Sequence, residues 1–324
     1  MIEYDRNDWV GSVFSVRGTA LRYAASRVLV LTLFAAAVQG VYETGVLLGW
    51  PHMKMLFSLE PAEHAVLGSL LGFLIVFRMN ASNNRYWEGR SLWAQILNAA
   101  RNLVRVGVEY SDEGSDLADL VSGYAICLRR SLQGNLDTEE TESFLSEPVR
   151  RQANRFGNPP TAIASAISEW IGRNWREGKF DSSVMRQMED QLSKMVDAQG
   201  GCEKIRKTPL PFVYVVMIKQ LILIYLLTLP IAVASHCGWW SPVLVCIVAV
   251  GLLGMEEASV EIEDPFGTGE NCLDMTNFTI TIARDTGQIA ARKGGGMFTV
   301  EVPESVVPMR SSALEYTPAG EGRR

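Results

Sequence analysis

Five carboxylates crowd the stretch from Glu256 to Asp264: Glu256, Glu257, Glu261, Glu263 and Asp264. Hard oxygen ligands at this density are the kind that hold Ca2+, which makes Glu261, Glu263 and Asp264 candidate calcium ligands. Ile262 and Pro265 interrupt the run, however, and the same carboxylates can pair with Arg17, Arg22, Arg78 or Arg85. His52, His64 and His236 are the only histidines, candidates for a group responsive to pH or Zn2+. Cys127, Cys202, Cys237, Cys246 and Cys272 show no CxxC spacing, so they point to neither a disulfide framework nor a metal site. The chain has no HExxH, GxSxG or P-loop motif, and its apolar segments carry no Asp, Glu or paired His away from their ends. An enzyme needs such groups converging on a cavity, so none is expected here, and calcium aside no cofactor is implied. A net charge of −6 offers no basic surface to nucleic acid.

The elements around these residues belong to a membrane. No Asp, Glu, Lys or Arg occurs between Lys219 and Glu256. A spanning helix needs roughly 20 apolar residues, so Phe212–Ala234 is one span and Ser241–Met255 the core of another. Ser235–Trp240 is the hairpin between them, with Trp239 and Trp240 suited to the headgroup layer. Two shorter apolar stretches, Val28–Tyr42 and Ala65–Phe77, become spans if the first begins near Tyr23 and the second at Pro61, a favoured first helical position. Charge supports all four. Arg6, Arg17, Arg22 and Arg27 precede the first span, Lys54 is the only base in the loop from Thr44 to Glu63, and most other bases lie between Arg78 and Lys219. By the positive-inside rule both termini are cytoplasmic. The opening residues lack the pattern of a cleaved signal peptide, so the first span is expected to remain.

Between the second and third spans the pattern is helical. Apolar residues from Tyr86 to Val104 recur near a 3.6 period and continue the second span without a break. Leu117–Leu132 is the next helix, stopped near Gly134. Asp137-Thr138-Glu139-Glu140 has capping-box spacing for another, and Asn158-Pro159 opens a fourth. Asp181–Gln199 carries Val184, Met188, Leu192 and Met195 in one stripe, with Gly200-Gly201 as its stop. The expected organisation is a cytosolic N-terminal segment (1–22), two spans (23–79), a helical cytosolic domain (80–208), two further spans (209–255), a cytosolic acidic segment and helix (256–293) and an extended or disordered tail (294–324). The fold class is all-α: four transmembrane helices continuing into a helical cytosolic domain, assembled around a central pore.

Three segments carry a resemblance. Arg78-Met79-Asn80-Ala81-Ser82-Asn83-Asn84-Arg85-Tyr86-Trp87-Glu88-Gly89-Arg90 follows the second span. Glu203-Lys204-Ile205-Arg206-Lys207-Thr208-Pro209-Leu210-Pro211-Phe212 leads into the third, and Glu261-Ile262-Glu263-Asp264-Pro265-Phe266-Gly267 follows the fourth. In this order and at these distances they resemble the bestrophin family in its bacterial form, over roughly residues 17–285. The resemblance implies a homopentameric ion channel in the bacterial inner membrane, its second spans lining one axial pore. It places an apolar neck at Ser69, Phe73 and Phe77, where Ser69 departs from the family's usual aliphatic residue, and a second, cytosolic aperture at Ser183 and Val184. The i, i+4, i+8 spacing independently puts 69, 73 and 77 along one helix face, and rotational symmetry would turn each into a ring that gates by dewetting.

Partners are therefore the bilayer, further copies of the chain and a permeant small monovalent ion. Animal bestrophins conduct chloride, but the sign of the ion stays open here. Glu43, Glu60 and Glu63 fall at the outer side, and acidic rings at Glu60 and Glu63 would favour cations. The positive end of a helix starting at Pro61 would favour anions. The competing readings are a secondary transporter, although no internal repeat of the usual kind is present, and a membrane scaffold.

Overall fold

The computed structural model describes residues 7–13, 15, 18–52, 57, 59–111 and 113–293. Arg6, Arg17, Lys54 and the tail 294–324, on which part of the charge count and the tail assignment rest, lie outside the described residues. Among the described residues there is no strand. The α-helices are α1 (Trp9–Val13), α2 (Leu21–Leu47), α3 (Pro61–Tyr110), α4 (Gly114–Leu132), α5 (Glu147–Ala153), α6 (Pro159–Arg176), α7 (Ser182–Lys207), α8 (Phe212–Cys237), α9 (Ser241–Glu263) and α10 (Met275–Lys293). Three stretches are long and apolar enough to cross a membrane: Leu21–Leu47, Pro61–Tyr110 and Phe212–Glu263, the last holding both α8 and α9. Two compact units emerge, one from residues 1–90 and 204–273, the other from residues 91–203 and 274–324.

The first unit is a four-helix arrangement. Ala24, Val28 and Leu31 of α2 cluster with Leu71 and Ile75 of α3, Ile218, Ile222 and Leu226 of α8, and Ala249 and Leu253 of α9. Further along α2, Ala35 meets Leu229 and Val233 of α8 but the earlier Val245 of α9. Residue numbers thus rise together in α2 and α8 and fall in α9, so α9 runs opposite to the other two. His64 lies 3.3 Å from the Tyr225 carbonyl, whereas the Tyr214 hydroxyl lies 3.5 Å from that of Leu74. α3 therefore also opposes α8. Helix direction alternates along the chain, as successive crossings require. The α8–α9 turn is tighter than the sequence suggests: α8 continues through Ser235, His236 and Cys237, and only the 3-10 turn Gly238–Trp240 separates the helices. Every backbone polar group kept within a helix is one fewer to satisfy in hydrocarbon.

The second unit packs the end of α3 with α4, α6, α7 and α10. Trp93, Leu103, Val104, Leu117, Val121 and Trp170 are buried in it, and Trp93 meets Phe278 of α10 at 6.0 Å between ring centroids. The fully buried Tyr124 donates its hydroxyl to Gln199 Oε1 at 2.9 Å, a polar clamp between α4 and α7.

Two local expectations are corrected here. The Asp137 capping box opens no α-helix, only the 3-10 turn Glu139–Thr141. Asp137 Oδ1 does accept from Glu139 N at 3.3 Å, but Glu140 is held by Arg129 and Arg130 of α4 and does not reach back to the Asp137 N–H, which Asn135 takes instead. Nor does Gly200-Gly201 stop α7, which runs on to Lys207. A Cβ at Gly201 would come within 2.8 Å of Leu92 Cδ2, so this glycine serves a close approach to α3 rather than a helix end. By contrast α3 begins at Pro61, and α6 opens on Asn158, whose side chain accepts from Thr161 N at 3.4 Å.

Candidate functional site

The membrane-crossing part of α3 has two unlike faces. His64, Leu71, Ile75, Arg78, Ser82 and Gly89 are buried against neighbouring helices. On the other side Val66, Ser69, Leu70, Phe73, Val76 and Phe77 are exposed, Phe73 by 67% and Phe77 by 63%. The exposed stripe then turns polar without leaving its face, through Asn80, Asn83 and Asn84. The change falls beside Arg78 and Arg85, where the helix passes from its apolar to its charged part. Ser69, Phe73 and Phe77 all belong to this stripe, and the Ser69 hydroxyl donates back to the Ala65 carbonyl at 3.0 Å.

One helical step beyond Phe77, Arg78 turns inward. Its Nη1 donates to Glu256 Oε1 at 2.9 Å, and both side chains are almost fully buried. Glu256 also lies 3.4 Å from Lys219 Nζ and 3.9 Å from Arg27 Nη1, and Arg27 in turn pairs with Glu257. Three helices thus send cations to one buried carboxylate of α9. Neither Lys219 nor Arg27 stands out in the sequence as a partner for Glu256. The absence of any other charge from 220 to 255 is the one signal pointing to the pair that bounds that stretch.

The three sequence motifs meet in the same unit. Arg85 donates to the carbonyls of Ile205 at 2.7 Å, Thr208 at 2.6 Å and Glu263 at 3.0 Å, so one guanidinium from the first motif holds backbone of the other two. Gly89 packs against Pro265 and the fully buried Phe266, where a Cβ would come within 3.0 Å of the Phe266 ring. Ser82 and Ser259 share a buried hydrogen bond at 3.0 Å. The motifs are therefore a clasp on the middle of α3.

That clasp also employs two of the candidate calcium ligands. Glu263 Oε1 accepts from Leu210 N at 3.0 Å, and Asp264 pairs with Arg206. Among the described residues no three His, Cys, Asp or Glu side chains come together as a metal site would require. The bases near the acidic segment are thus Arg78, Arg27, Lys219, Arg206 and, through backbone, Arg85. The histidines are dispersed in role: His64 is buried and stacked on Tyr225 with ring centroids 4.4 Å apart, while His52 and His236 are exposed. Glu60 and Glu63 are exposed at the start of α3.

In the second unit, Asp181 caps α7 by accepting from Ser183 N at 3.0 Å and Val184 N at 2.9 Å. Ser183 is exposed and Val184 half-buried, one turn before Met188, which is fully buried with Leu192 and Met195. The methionine stripe is core; only its first turn reaches the surface. Asp119 of α4 lines a cavity of about 570 Å³ with Asp116 and Glu169. Asp119 is exposed overall, but partial desolvation of its carboxyl against the cavity wall, followed by the neighbouring charge of Asp116, pushes it up to about 6.

Comparison with known proteins agrees with this architecture. The family described as Bacterial/Fungal Bestrophin protein matches residues 1–288. A voltage-dependent anion channel-forming protein of Synechocystis is 30% identical over 282 residues, covering 85% of this chain and 89% of that protein. One of Nostoc is 28% identical over 299 residues, covering 88% and 93%. Among solved structures, a bacterial bestrophin homolog from Klebsiella pneumoniae superposes with a TM-score of 0.77 at 24% identity, over 85% of this chain and 99% of that one.

Proposed function

Since this chain belongs to the bacterial and fungal bestrophin family, we propose that it is the subunit of a homopentameric channel for small monovalent anions. The observation that carries the reading is the exposed stripe of α3, apolar apart from Ser69 between Val66 and Phe77 and polar at Asn80, Asn83 and Asn84. Five copies turn Ser69, Phe73 and Phe77 into stacked rings that form the neck. Water confined by phenyl rings loses hydrogen bonds it cannot replace, so the neck is closed when dry and conducts when it widens or wets. Ser69 makes the outermost ring wetter than the two below it. Ser183 and Val184, at the surface end of α7, form a second constriction.

Anion preference is supported by the names of the relatives as anion channel-forming proteins and by the positive end of α3 at Pro61. Glu60 and Glu63 oppose it, and so set how strong the preference is. Orientation in the inner membrane with cytoplasmic termini is supported by Arg27, Arg78, Arg85, Lys204, Arg206 and Lys219, which gather at one end of the bundle, against a Trp-rich α8–α9 turn with no base.

The test is reversal potential under asymmetric NaCl with the purified protein in a planar bilayer. The expected result is a shift toward the Cl− equilibrium potential, with larger conductance in Phe73→Ala and Phe77→Ala. A shift toward the Na+ potential refutes the ion assignment. Saturable flux without single-channel steps indicates a transporter, and an intact oligomer with no flux in any variant indicates a scaffold.

A further inference from the structure

Between α2 and α8 the first unit holds a groove of about 480 Å³. Its walls are Val30 and Leu31 of α2 and Ile222, Leu223 and Leu227 of α8, and one end is closed by Arg27, Lys219 and Glu256. From Lys219 to Leu227 the wall runs eight residues along a helix, about 12 Å. Val30 and Leu223 are more than half exposed.

The charge at the closed end is unbalanced. Arg27, Arg78 and Lys219 face Glu256 and Glu257, three cations to two carboxylates. Arg78 is fully buried on Glu256, so the surplus positive charge falls on Lys219 and Arg27, which are 52% and 47% exposed at the groove. A ligand that fits must therefore offer an anionic head beside these two side chains and an apolar tail along the walls. Basic pockets between transmembrane helices at the basic face of a membrane bind anionic lipid headgroups for this reason.

We propose that this groove is a binding site for an anionic phospholipid, whose phosphate lies against Lys219 and Arg27 and whose acyl chain follows Leu223 and Leu227. The lipid sits one residue pair from the neck helix, because the Glu256 it shares cations with is also the counterion of Arg78. Loading the site draws Lys219 and Arg27 toward phosphate and leaves Glu256 more fully to Arg78. The inference rests on membrane embedding alone and holds whichever ion the protein conducts.

The experiment is native mass spectrometry of the purified oligomer in detergent with phosphatidylglycerol or phosphatidylcholine of identical acyl chains. One surplus charge is worth about fivefold in preference for the anionic lipid, or about 1 kcal/mol. The expected result is that Lys219→Gln abolishes this preference while Leu223→Trp, which fills the groove without touching its charges, displaces both lipids. Equal retention of the two lipids by the wild type, or undiminished retention in Leu223→Trp, overturns the proposal. A phosphatidylglycerol carrying a photoreactive acyl chain tests the same point on unaltered protein. Label within residues 27–31 and 219–227 is expected. Label absent from both segments of the assembled oligomer means that a second copy covers the groove, and refutes the site.

Discussion

Removing the charge of Glu256 should unlatch α3 from the rest of the bundle. Glu256→Gln keeps the side chain's volume but deletes the carboxylate that Arg78, Lys219 and Arg27 surround. Arg78 cannot compensate, since its guanidinium is buried, its Nε has no partner, and Nη1 donates to Glu256 itself. Stranding one member of a buried pair costs about 3–5 kcal/mol. The reverse substitution, Arg78→Met, removes the buried cation and leaves Glu256 with two half-exposed bases, so its cost is lower, about 1–3 kcal/mol. The double variant buries no unpaired charge and should therefore be more stable than Glu256→Gln alone, which requires a coupling larger than the cost of Arg78→Met, about 3 kcal/mol. Heating the detergent-purified protein and reading the surviving oligomer by size exclusion gives a midpoint temperature, compared at one heating rate because such unfolding is commonly irreversible. At about 2 °C per kcal/mol for a chain this long, Glu256→Gln should melt about 6–10 °C below the wild type. A double variant less stable than Glu256→Gln would refute the reasoning, because the loss would then not come from a stranded charge.

Further outcomes follow from the same geometry. Ser69→Leu completes the apolar neck and should lower single-channel conductance, and an unchanged conductance would remove position 69 from the pore wall. Asp119 holds its proton more tightly folded, at about 6 against 3.8, so the folded state loses stability as pH rises from about 4 to about 6. Asp119→Asn should thus raise the melting midpoint at pH 7.5, by the equivalent of about 1 kcal/mol after allowance for solvent screening. It should have no effect at pH 3.5, and an equal gain at both pH values would show that titration is not the cause. Tyr124→Phe leaves Gln199 Oε1 without its donor and should cost about 1–2 kcal/mol in the same melting assay. Chelating calcium should change neither current nor melting midpoint, since Glu263 and Asp264 are engaged by Leu210 N and Arg206. A drop in either would restore the acidic segment as a calcium site.

Signals that act within a few residues were legible in the chain. Pro61 starts α3 and Asn158-Pro159 starts α6 where their local chemistry requires it. The same kind of signal misled at Glu140 and Gly201, where a partner on another element overrode the local preference: Arg129 and Arg130 from α4 took the carboxylate of Glu140, and Leu92 of α3 demanded the glycine. The family motifs were recognisable by their order and spacing, but not their purpose. That Arg85 binds three carbonyls from two other segments is invisible in any window around position 85.

By itself the sequence determined which stretches are long and apolar enough to cross a membrane and that each is helical. Freedom from charge is a property of composition, and a segment without water must satisfy its own backbone hydrogen bonds. It did not determine which face of α3 is left unpartnered. Between Ala65 and Phe77 the helix is apolar nearly all round, so periodicity carries no direction there, and only packing against α2, α8 and α9 leaves Phe73 and Phe77 outside and Leu71 and Ile75 within. Nor did it determine the counterions. Residues 27, 78 and 219 meet Glu256 because four helices alternate in direction and bring their basic ends to one level, and the energy of that meeting depends on burial, which exists only once the chain has folded.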